Sequence, residues 1–209
     1  MKFDTEKVRR HYDFMAGAYD LFTRSFYHRP RKELVKRLKV SPGMTVYLPA
    51  VGTGALLPYL NRVMRNTGLI VGTDVSEKML ARARARIRRH NWTNVRLIKV
   101  PAEKADAGFM KSRGLPHRFD LVAGELAFSV IPDWKRALQV SSELLAPGGR
   151  LGLLDWYCPH QNIWTRAVDF VAHSECGRPV PETARKLLKS FSVHKWYAGG
   201  RVYVGTGVK

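Results

Sequence analysis

The sequence has few acidic residues, few cysteines and no long apolar segment. Its 209 residues include 17 Asp and Glu against 36 Lys and Arg, and only two cysteines. No uninterrupted apolar run approaches the ~20 residues that a membrane-spanning helix needs, and the charged start of the chain does not resemble a secretion signal. Two cysteines argue against a disulfide-stabilised scaffold. A protein of the reducing cytoplasm is therefore expected.

The shortage of acidic residues gives the chain a formal net charge of +19. The charge is uneven, because residues 46–60 contain no charged side chain while the helix predicted after them is rich in arginine. A field this positive attracts nucleic acid or an anionic membrane surface. The same charge also fits a solvated basic surface without a particular partner, so both interpretations stay open.

The two cysteines have histidines near them in the chain. Cys158 and His160 are two residues apart, and His173 and Cys176 are three apart. This spacing matches no familiar zinc pattern, so no metal site is predicted.

Predicted strands and helices alternate through most of the chain. The predicted helices cover residues 30–38, 56–64, 77–90, 134–145, 163–173 and 181–190, and the predicted strands cover residues 45–48, 69–73, 95–100, 119–123, 150–155, 192–196 and 201–205. Such alternation, followed by a strand pair around Gly199-Gly200, predicts an α/β fold. We expect a Rossmann-like, doubly wound, mostly parallel seven-stranded sheet with a C-terminal antiparallel hairpin.

The stretch VYLPAVGTG, residues 46–54, is the strongest local signal. A buried strand leads into a glycine turn and a helix, and a second buried strand ends in Asp74 about twenty residues later. Glycine at positions 52 and 54 lets the backbone turn sharply and approach a ligand closely. An acid at the end of the second strand can accept hydrogen bonds from ribose hydroxyls. The pattern predicts a nucleotide-binding βαβ unit.

Four motifs in order and spacing give a family resemblance. They are VYLPAVGTGALLPYL, VGTDVSEKMLARA, FDLVAGELAFSVIPD and LLAPGGRLGLLD, and together they resemble the class I S-adenosylmethionine-dependent methyltransferases over residues 11–157. The N-terminal HYDFMAGAYDLF is similar to the first helix of the ubiquinone/menaquinone C-methyltransferase group. That segment together with RRHNWTNV and FSVIPDW most resembles the small bacterial phospholipid and aminolipid N-methyltransferases.

The resemblance implies S-adenosylmethionine as cofactor, S-adenosylhomocysteine as product, and a set of binding residues. It implies one methyltransferase domain over residues 1–209, with an N-terminal helical extension (1–40), a cofactor-binding core (41–157) and closing helices and strands (158–209). Asp74 would bind the ribose hydroxyls, Glu125 would lie near the reactive methyl, and Tyr19 would close over the cofactor. The other implied cofactor contacts are Ala50, Val51, Gly52, Gly54, Val75, Met79, Ala102 and Glu103.

Three positions depart from the family pattern. Leu48 stands where the first strand usually carries an acid. Ala50, which follows Pro49, stands where the pattern has its first glycine. Val100-Pro101 stands where the third-strand motif usually has Gly-Asp. The two missing acids remove ordinary cofactor anchors. The departures leave open weaker cofactor binding, binding through backbone groups, and a non-catalytic copy of the fold.

An amine must lose its proton before it can accept a methyl group, and a carboxylate or histidine can assist. The catalytic candidates are Glu125 and His28, with Tyr19 at the site. Tyr12, Tyr19 and Trp156 are candidates for cation–π contact with a methylated headgroup, although core packing is the commoner role of aromatic side chains.

Two basic clusters are candidates for anion binding. The first contains Arg24, Arg29, Arg31 and Lys32 among aromatic residues, a composition that suits the boundary between lipid headgroups and acyl chains; we expect it to dock on an anionic membrane. In the second, Arg82, Arg86 and Arg89 share one helix face and Arg84 and Arg88 another. This helix is either solvated or a phosphate-binding surface for lipid or RNA.

The leading hypothesis is N-methylation of an amine-bearing membrane lipid by an enzyme at the cytoplasmic face of the membrane. The alternatives are C- or O-methylation of a quinone precursor or other small molecule, RNA methylation, and a non-enzymatic binding protein. The position after the fourth strand reads GELAFS rather than an Asn/Asp-Pro-Pro-Tyr motif, which argues against RNA methylation.

Overall fold

The computed structural model describes residues 4–15, 25–160, 169 and 174–209. The predictions for Tyr19 and Arg24, and nearly all of the helix predicted over residues 163–173, lie outside this part of the chain. Within it, no helix combines the length and the apolar character needed to cross a bilayer.

The described chain forms one seven-stranded sheet in the order β3-β2-β1-β4-β5-β7-β6. The first five strands are parallel, and β7 runs antiparallel between β5 and β6. The bounds are β1 Thr45–Leu48, β2 Leu69–Asp74, β3 Val95–Lys99, β4 Phe119–Glu125, β5 Leu145–Trp156, β6 Ser190–Tyr197 and β7 Val202–Val208. The predicted fold class, including the C-terminal hairpin, is confirmed.

Helices cover both faces of the sheet. Their bounds are α1 Thr5–Met15, α2 His28–Leu38, α3 Leu57–Met64, α4 Glu77–Arg89, α5 Ala107–Ser112, α6 Trp134–Glu143 and α7 Val180–Leu187. One apolar layer contains residues of α2 and α3, and the other contains residues of α5, α6 and α7. This two-sided burial explains why the strands read as nearly continuous apolar runs rather than as alternating ones.

Helix α2 packs on the sheet, whereas helix α1 packs on α4. Leu34 and Leu38 of α2 are fully buried, and they lie against β5 so closely that a Cβ at Gly152 would come within 2.8 Å of both. Helix α2 therefore packs on the core, and α1 contacts α4.

Several element bounds differ from the predicted ones. Strand β4 reaches Glu125 rather than ending at Ala123, and β5 begins at Leu145, where the sequence predicts the end of a helix. The short helix α5 was not predicted. Its N-cap is Asp106, whose side chain accepts a hydrogen bond from Phe109 N at 2.9 Å. Six residues are too few for a clear helical period.

Candidate active site

The turn after β1 is shaped by residues with left-handed backbone conformations. Gly52 has φ +56°, Gly54 has φ +72° and Ala50 has φ +49°. A Cβ at Gly54 would lie 2.6 Å from Leu57 Cδ1, so this glycine is needed for close packing of the turn on α3. Ala50 adopts the same region with a Cβ, at an energetic cost that glycine would not have. The turn therefore keeps its shape although the first glycine of the pattern is missing.

Asp74, the last residue of β2, is held in place by this turn. Its Oδ2 accepts a hydrogen bond from Gly52 N at 2.8 Å, and its Oδ1 accepts one from Ser76 N at 2.9 Å. Burial raises the pKa of the Asp74 carboxyl to about 6, against the lowering effect of these backbone donors, and nearby Asp13 raises it further. The carboxylate is thus fixed at the carboxyl end of the sheet beside the glycine turn.

A cavity at this edge of the sheet brings most of the predicted cofactor residues together. Asp74 and Glu125 line it, each at the end of its strand, and Ala102 and Glu103 line it from the 3₁₀ turn after β3. Burial also raises the pKa of the Glu103 carboxyl. The other predicted residues on its wall are Ala50, Val51, Gly52, Val75 and Met79. Gly54, which also belongs to the turn, does not line the cavity.

Helix α1 forms the roof of the cavity through residues that were not assigned to the cofactor from the sequence. Thr5, Val8 and Tyr12 line the cavity from this side. Ser76 Oγ donates to Asp13 Oδ1 at 2.5 Å, which ties the roof to the α4 N-cap. The enclosed volume is about 80 Å³, well below the ~300–1,000 Å³ of typical ligand pockets. With α1 in this position, the cavity is small.

Glu125 forms a nearly buried ion pair with Arg31 of α2. Arg31 Nε donates to Glu125 Oε1 at 2.5 Å, and the two side chains are 2% and 11% exposed. The Arg31 guanidinium also lies 5.6 Å from the Tyr27 ring centre. The sequence-based assignment of Arg31 to an exposed membrane-docking surface is wrong, because the structure buries its side chain against Glu125. Arg29 and Lys32 are exposed.

The segment after β4 is fixed by two buried charged residues. Asp155, at the end of β5, accepts hydrogen bonds from Phe128 N at 2.8 Å and from Ser129 N and Oγ at 3.1 and 2.6 Å. Arg178 Nη1 donates to Phe128 O and to Ile131 O. These bonds position the cavity wall formed by Leu126, Val130, Ile131 and Pro132. In the sequence, the position of Asp155 at the end of the motif LLAPGGRLGLLD could have indicated its role. No local pattern indicated the role of Arg178.

His28 lies outside this cavity, on a separate groove over α2, α3 and α4. Its Nδ1 is 2.8 Å from Tyr59 Oη, and its side chain is exposed. We call this groove the basic groove. It has a volume of about 1,150 Å³, and its Lys and Arg wall residues are Arg31, Lys32, Lys36, Lys39, Arg62, Arg82, Arg86 and Arg89; His28 and His90 also line it. His28 is thus not placed beside the predicted cofactor residues.

The residues of the cavity fit a nucleoside cofactor. Asp74 offers a carboxylate beside the glycine turn, where ribose hydroxyls can donate to it. Space is open at Gly52, where a Cβ would meet only Ala50 O, at 4.0 Å. The adenine side would be formed by Val75, Met79 and Ala102. Leu48, which differs from the acid of the family pattern, is buried in the apolar layer under α2 and α3 and does not line the cavity.

Comparison with known proteins agrees with this geometry. A family described as "Methyltransferase domain" matches residues 50–151. A demethylmenaquinone methyltransferase of Listeria welshimeri is 25% identical over 195 residues, which cover 91% of this chain and 78% of the relative. The chain is similar to S-adenosylmethionine-dependent methyltransferases over these residues and has their class I fold.

Solved structures share the fold of this methyltransferase. An S-adenosylmethionine-dependent methyltransferase from Aquifex aeolicus superposes with a TM-score of 0.60 at 17% identity and covers 99% of both chains. A phosphoethanolamine N-methyltransferase of Haemonchus contortus, in complex with phosphomonomethylethanolamine and S-adenosylhomocysteine, has a TM-score of 0.76 at 14% identity. That match covers 97% of this chain and 60% of the other.

The cysteines of the methyltransferase are buried free thiols. Cys176 Sγ lies 3.3 Å from Asp169 Oδ2, and burial raises the pKa of both thiols. A raised pKa keeps a thiol protonated and unreactive. Among the described residues, no three His, Cys, Asp or Glu side chains are arranged to hold a metal ion; His173 lies outside them.

Proposed function

We propose that this methyltransferase transfers a methyl group to the amine headgroup of a membrane lipid of the phosphatidylethanolamine type. Bound S-adenosylmethionine supplies an electrophilic methyl group on a sulfonium. The observation that carries the proposal is the Glu125 carboxylate on the cavity wall, since a carboxylate at this position can hold an amine beside the cofactor. The Haemonchus contortus enzyme was crystallised with phosphomonomethylethanolamine, a phosphorylated amine of the headgroup chemistry that we propose.

Glu125 has two tasks in this proposal: it holds the lipid amine beside the cofactor, and it assists the removal of a proton from that amine. The lipid ammonium must give up its proton to expose a lone pair, and a carboxylate within hydrogen-bond reach can assist that transfer. The amine nitrogen then bonds to the methyl carbon as the carbon–sulfur bond breaks, and the bonding pair stays on sulfur. Arg31 holds Glu125 through its Nε at 2.5 Å, so the carboxylate is positioned before the substrate arrives.

Aromatic side chains near this pair suit a cationic product. Tyr12 lines the cavity roof. Trp156 Nε1 donates to Tyr27 Oη at 2.8 Å, so these two rings form a fixed pair close to Arg31. A methylated ammonium is attracted to the faces of such rings. In this proposal Tyr12 takes the part that was expected of Tyr19 from the sequence.

The proposed membrane contact is the exposed edge at the start of α2. Phe26 is 50% exposed, and Arg29 and Lys32 are exposed close to it in the chain. An apolar ring beside cations suits the boundary between headgroups and acyl chains. Docking there would place the enzyme at the inner face of the cytoplasmic membrane, with the α2 side of the cavity toward the lipid.

The test uses S-adenosylmethionine with a labelled methyl group and vesicles that contain phosphatidylethanolamine and phosphatidylglycerol. We expect label in a monomethylated lipid, and none when phosphatidylcholine replaces phosphatidylethanolamine. Glu125→Gln should lower kcat by about 100-fold while cofactor affinity changes little. Unlabelled lipid, with intact cofactor binding, would refute the lipid assignment.

The docking edge has its own variant. Phe26→Ser/Arg29→Glu should reduce sedimentation with anionic vesicles and raise the apparent KM for vesicle substrate. It should not change methyl transfer to a short-chain, water-soluble phosphatidylethanolamine. Lys135→Glu, an exposed charge change on α6 across the sheet, is the control. Equal loss in both variants would contradict a defined docking edge.

A second candidate is C-methylation of a quinone precursor. The observation that favours it is the similarity to demethylmenaquinone methyltransferases over 91% of this chain. Labelled methyl groups would then appear in a demethylated menaquinol added to the same assay and not in the phospholipid. Glu125→Gln would still matter, because a base must remove the ring proton that the methyl group replaces.

A further inference from the structure

We propose that the basic groove binds single-stranded nucleic acid through the phosphates of its backbone. This site is additional to the proposed lipid-methylating activity and does not depend on it. The groove lies over α2, α3 and α4, outside the cofactor cavity.

Two helices give the groove matched rows of cations. Lys32, Lys36 and Lys39 lie on α2 and its C-cap, and Arg82, Arg86 and Arg89 lie on α4. Both rows have the spacing i, i+4, i+7, which keeps the three side chains on one helix face. At 1.5 Å per residue each row extends about 10 Å. Since α2 packs on β5 and β7 while α4 packs on β2 and β3, the rows border α3 from either side.

The cations of the groove have little internal compensation. No Asp or Glu is among its wall residues. In the described part of the chain, six of its Lys and Arg residues make no salt bridge; they are Lys32, Lys36, Lys39, Arg62, Arg82 and Arg89. The neighbouring Arg84, outside the groove, pairs with Glu77 at 2.5 Å. A ligand with one phosphate would neutralise few of these charges, whereas a chain of phosphates can neutralise several in a row.

The shape and the aromatic side chains of the groove favour a nucleic-acid strand over a membrane. A planar headgroup layer cannot follow the walls of a concave groove, but a flexible strand can lie inside it. Tyr59 lines the groove beside His28, and His90 stacks on Trp92 with ring centres 4.7 Å apart. A cationic groove that tracks the backbone, with rings on which bases stack, is the usual means of binding single strands.

Arg86 connects the groove to the turn of the cofactor site. Arg86 Nη1 donates to Gly54 O at 3.2 Å, and Gly54 belongs to the turn that holds Asp74. We therefore leave Arg86 unchanged in the test, because its substitution could disturb cofactor binding directly.

The experiment measures binding of a fluorescein-labelled RNA of about 12 nucleotides to the full chain by fluorescence anisotropy, without cofactor. Each phosphate contact contributes about 0.7 to the slope of log Kd against log salt for single strands. Lys36→Glu/Arg82→Glu, with one change in each row, should therefore weaken binding at least tenfold and lower the slope by about 1.4.

The matched control is Lys78→Glu/Arg88→Glu, which makes the same change in net charge on α4 outside the groove. It should change RNA affinity by no more than about threefold, because screened surface charges act weakly at a distance. Equal losses in the two variants would overturn the proposal, since binding would then follow net charge alone. Stronger binding to inorganic polyphosphate than to RNA would also overturn it, because stacking would have no part.

The competing occupant is tested in the same samples. If the groove variant loses binding to anionic vesicles but keeps RNA binding, the groove is a lipid site and the proposal is wrong. Methyl label is followed separately. Label in RNA would refute lipid methylation while leaving the groove assignment intact. Label in lipid with no RNA binding would support lipid methylation and refute the groove assignment.

Discussion

The two concave sites of this methyltransferase differ in size and in charge. The cofactor cavity encloses about 80 Å³ and contains three carboxylates, those of Asp74, Glu103 and Glu125. The basic groove has about 1,150 Å³ and is lined by eight Lys and Arg and by no acid. The cavity is roofed by α1, whereas the groove is open. The excess of basic residues behind the +19 charge of the chain is thus absent from the cavity in which we expect the cationic cofactor to bind.

One ion pair joins the two sites. Arg31 lines the groove, Glu125 lines the cavity, and their side chains meet between them. A positive sulfonium is favoured beside a carboxylate and disfavoured beside a guanidinium. Arg31 presents its charge to Glu125 at the boundary, and this arrangement keeps a negative group on the cofactor side.

Removing Arg31 should disturb this separation more than any other single change. Arg31→Met removes the guanidinium that pairs with the nearly buried Glu125, and the free energy of unfolding should fall by about 3 kcal/mol or more. Urea denaturation measures the change. Arg31→Met/Glu125→Leu should recover most of the loss, because a buried pair replaced by apolar side chains is often neutral. Arg29→Met, at an exposed site, should change stability by about 0.5 kcal/mol or less; a similar loss there would contradict the argument.

Removing Asp74 tests the acidic side of the comparison. Asp74→Ala loses the carboxylate that we expect to face the ribose, and two charge-assisted hydrogen bonds are worth about 3 kcal/mol or more together. We expect the Kd for S-adenosylmethionine to rise more than about 100-fold in titration calorimetry, with RNA affinity unchanged. Glu143→Gln, at the end of α6, is the control. Unaltered cofactor binding in Asp74→Ala would show that the cavity has been assigned to the wrong ligand.

The pKa of Asp74 predicts how pH changes the contrast between the two sites. The carboxyl takes up a proton below its pKa of about 6, so the Kd for the cofactor should rise about tenfold per pH unit below that value. The free energy of unfolding should instead increase as the pH falls. Because burial raises the folded pKa above the unfolded one, the contribution of Asp74 to the free energy of unfolding is complete below about pH 4 and is lost as pH rises through 6.

Asp74→Asn is the control for both curves, because an amide does not titrate. The Kd for the cofactor in this variant should be higher but flat between about pH 5 and 7. If its slope persists, Glu103, whose pKa burial also raises, is the titrating group instead.

The sequence was sufficient for the sheet and for one half of the cavity. The strands alternate with helices at regular spacing, and Gly52 and Asp74 lie at strand ends, which parallel pairing brings to one edge of the sheet. The row on α4 was visible in the sequence as one helix face, but the row on α2 was not recognised. That they border one groove depends on the packing of α2 on β5 and β7, and no local pattern specifies such a distant contact.

The misplaced residue Arg31 shows the same limit in a single side chain. Its neighbours Arg29 and Lys32 are exposed, and in the sequence the three are alike. On α2, Arg31 lies on the buried face of the helix, whereas Arg29 and Lys32 lie on the exposed face. The partner of Arg31, Glu125, is 94 residues away in the chain. A buried arginine is recognisable only when its carboxylate is known, so sequence reasoning assigned it to the surface with the others. The roof formed by Tyr12 was hidden for the same reason, since it depends on contact between α1 and α4.

The smallest expected effect comes from Ala50, which lines only the cofactor cavity. An L-residue at φ +49° costs about 1–2 kcal/mol, and glycine removes that cost while adding about 0.5–1 kcal/mol of chain entropy to the unfolded state. Ala50→Gly should therefore raise the free energy of unfolding by about 0.5 kcal/mol. Ala55 lines both sites and lacks a positive φ. Ala55→Gly therefore relieves no backbone strain, adds only entropy to the unfolded chain, and should lower stability. If both variants lower stability equally in urea, the backbone of Ala50 is not strained, and the turn tolerates the missing glycine for another reason.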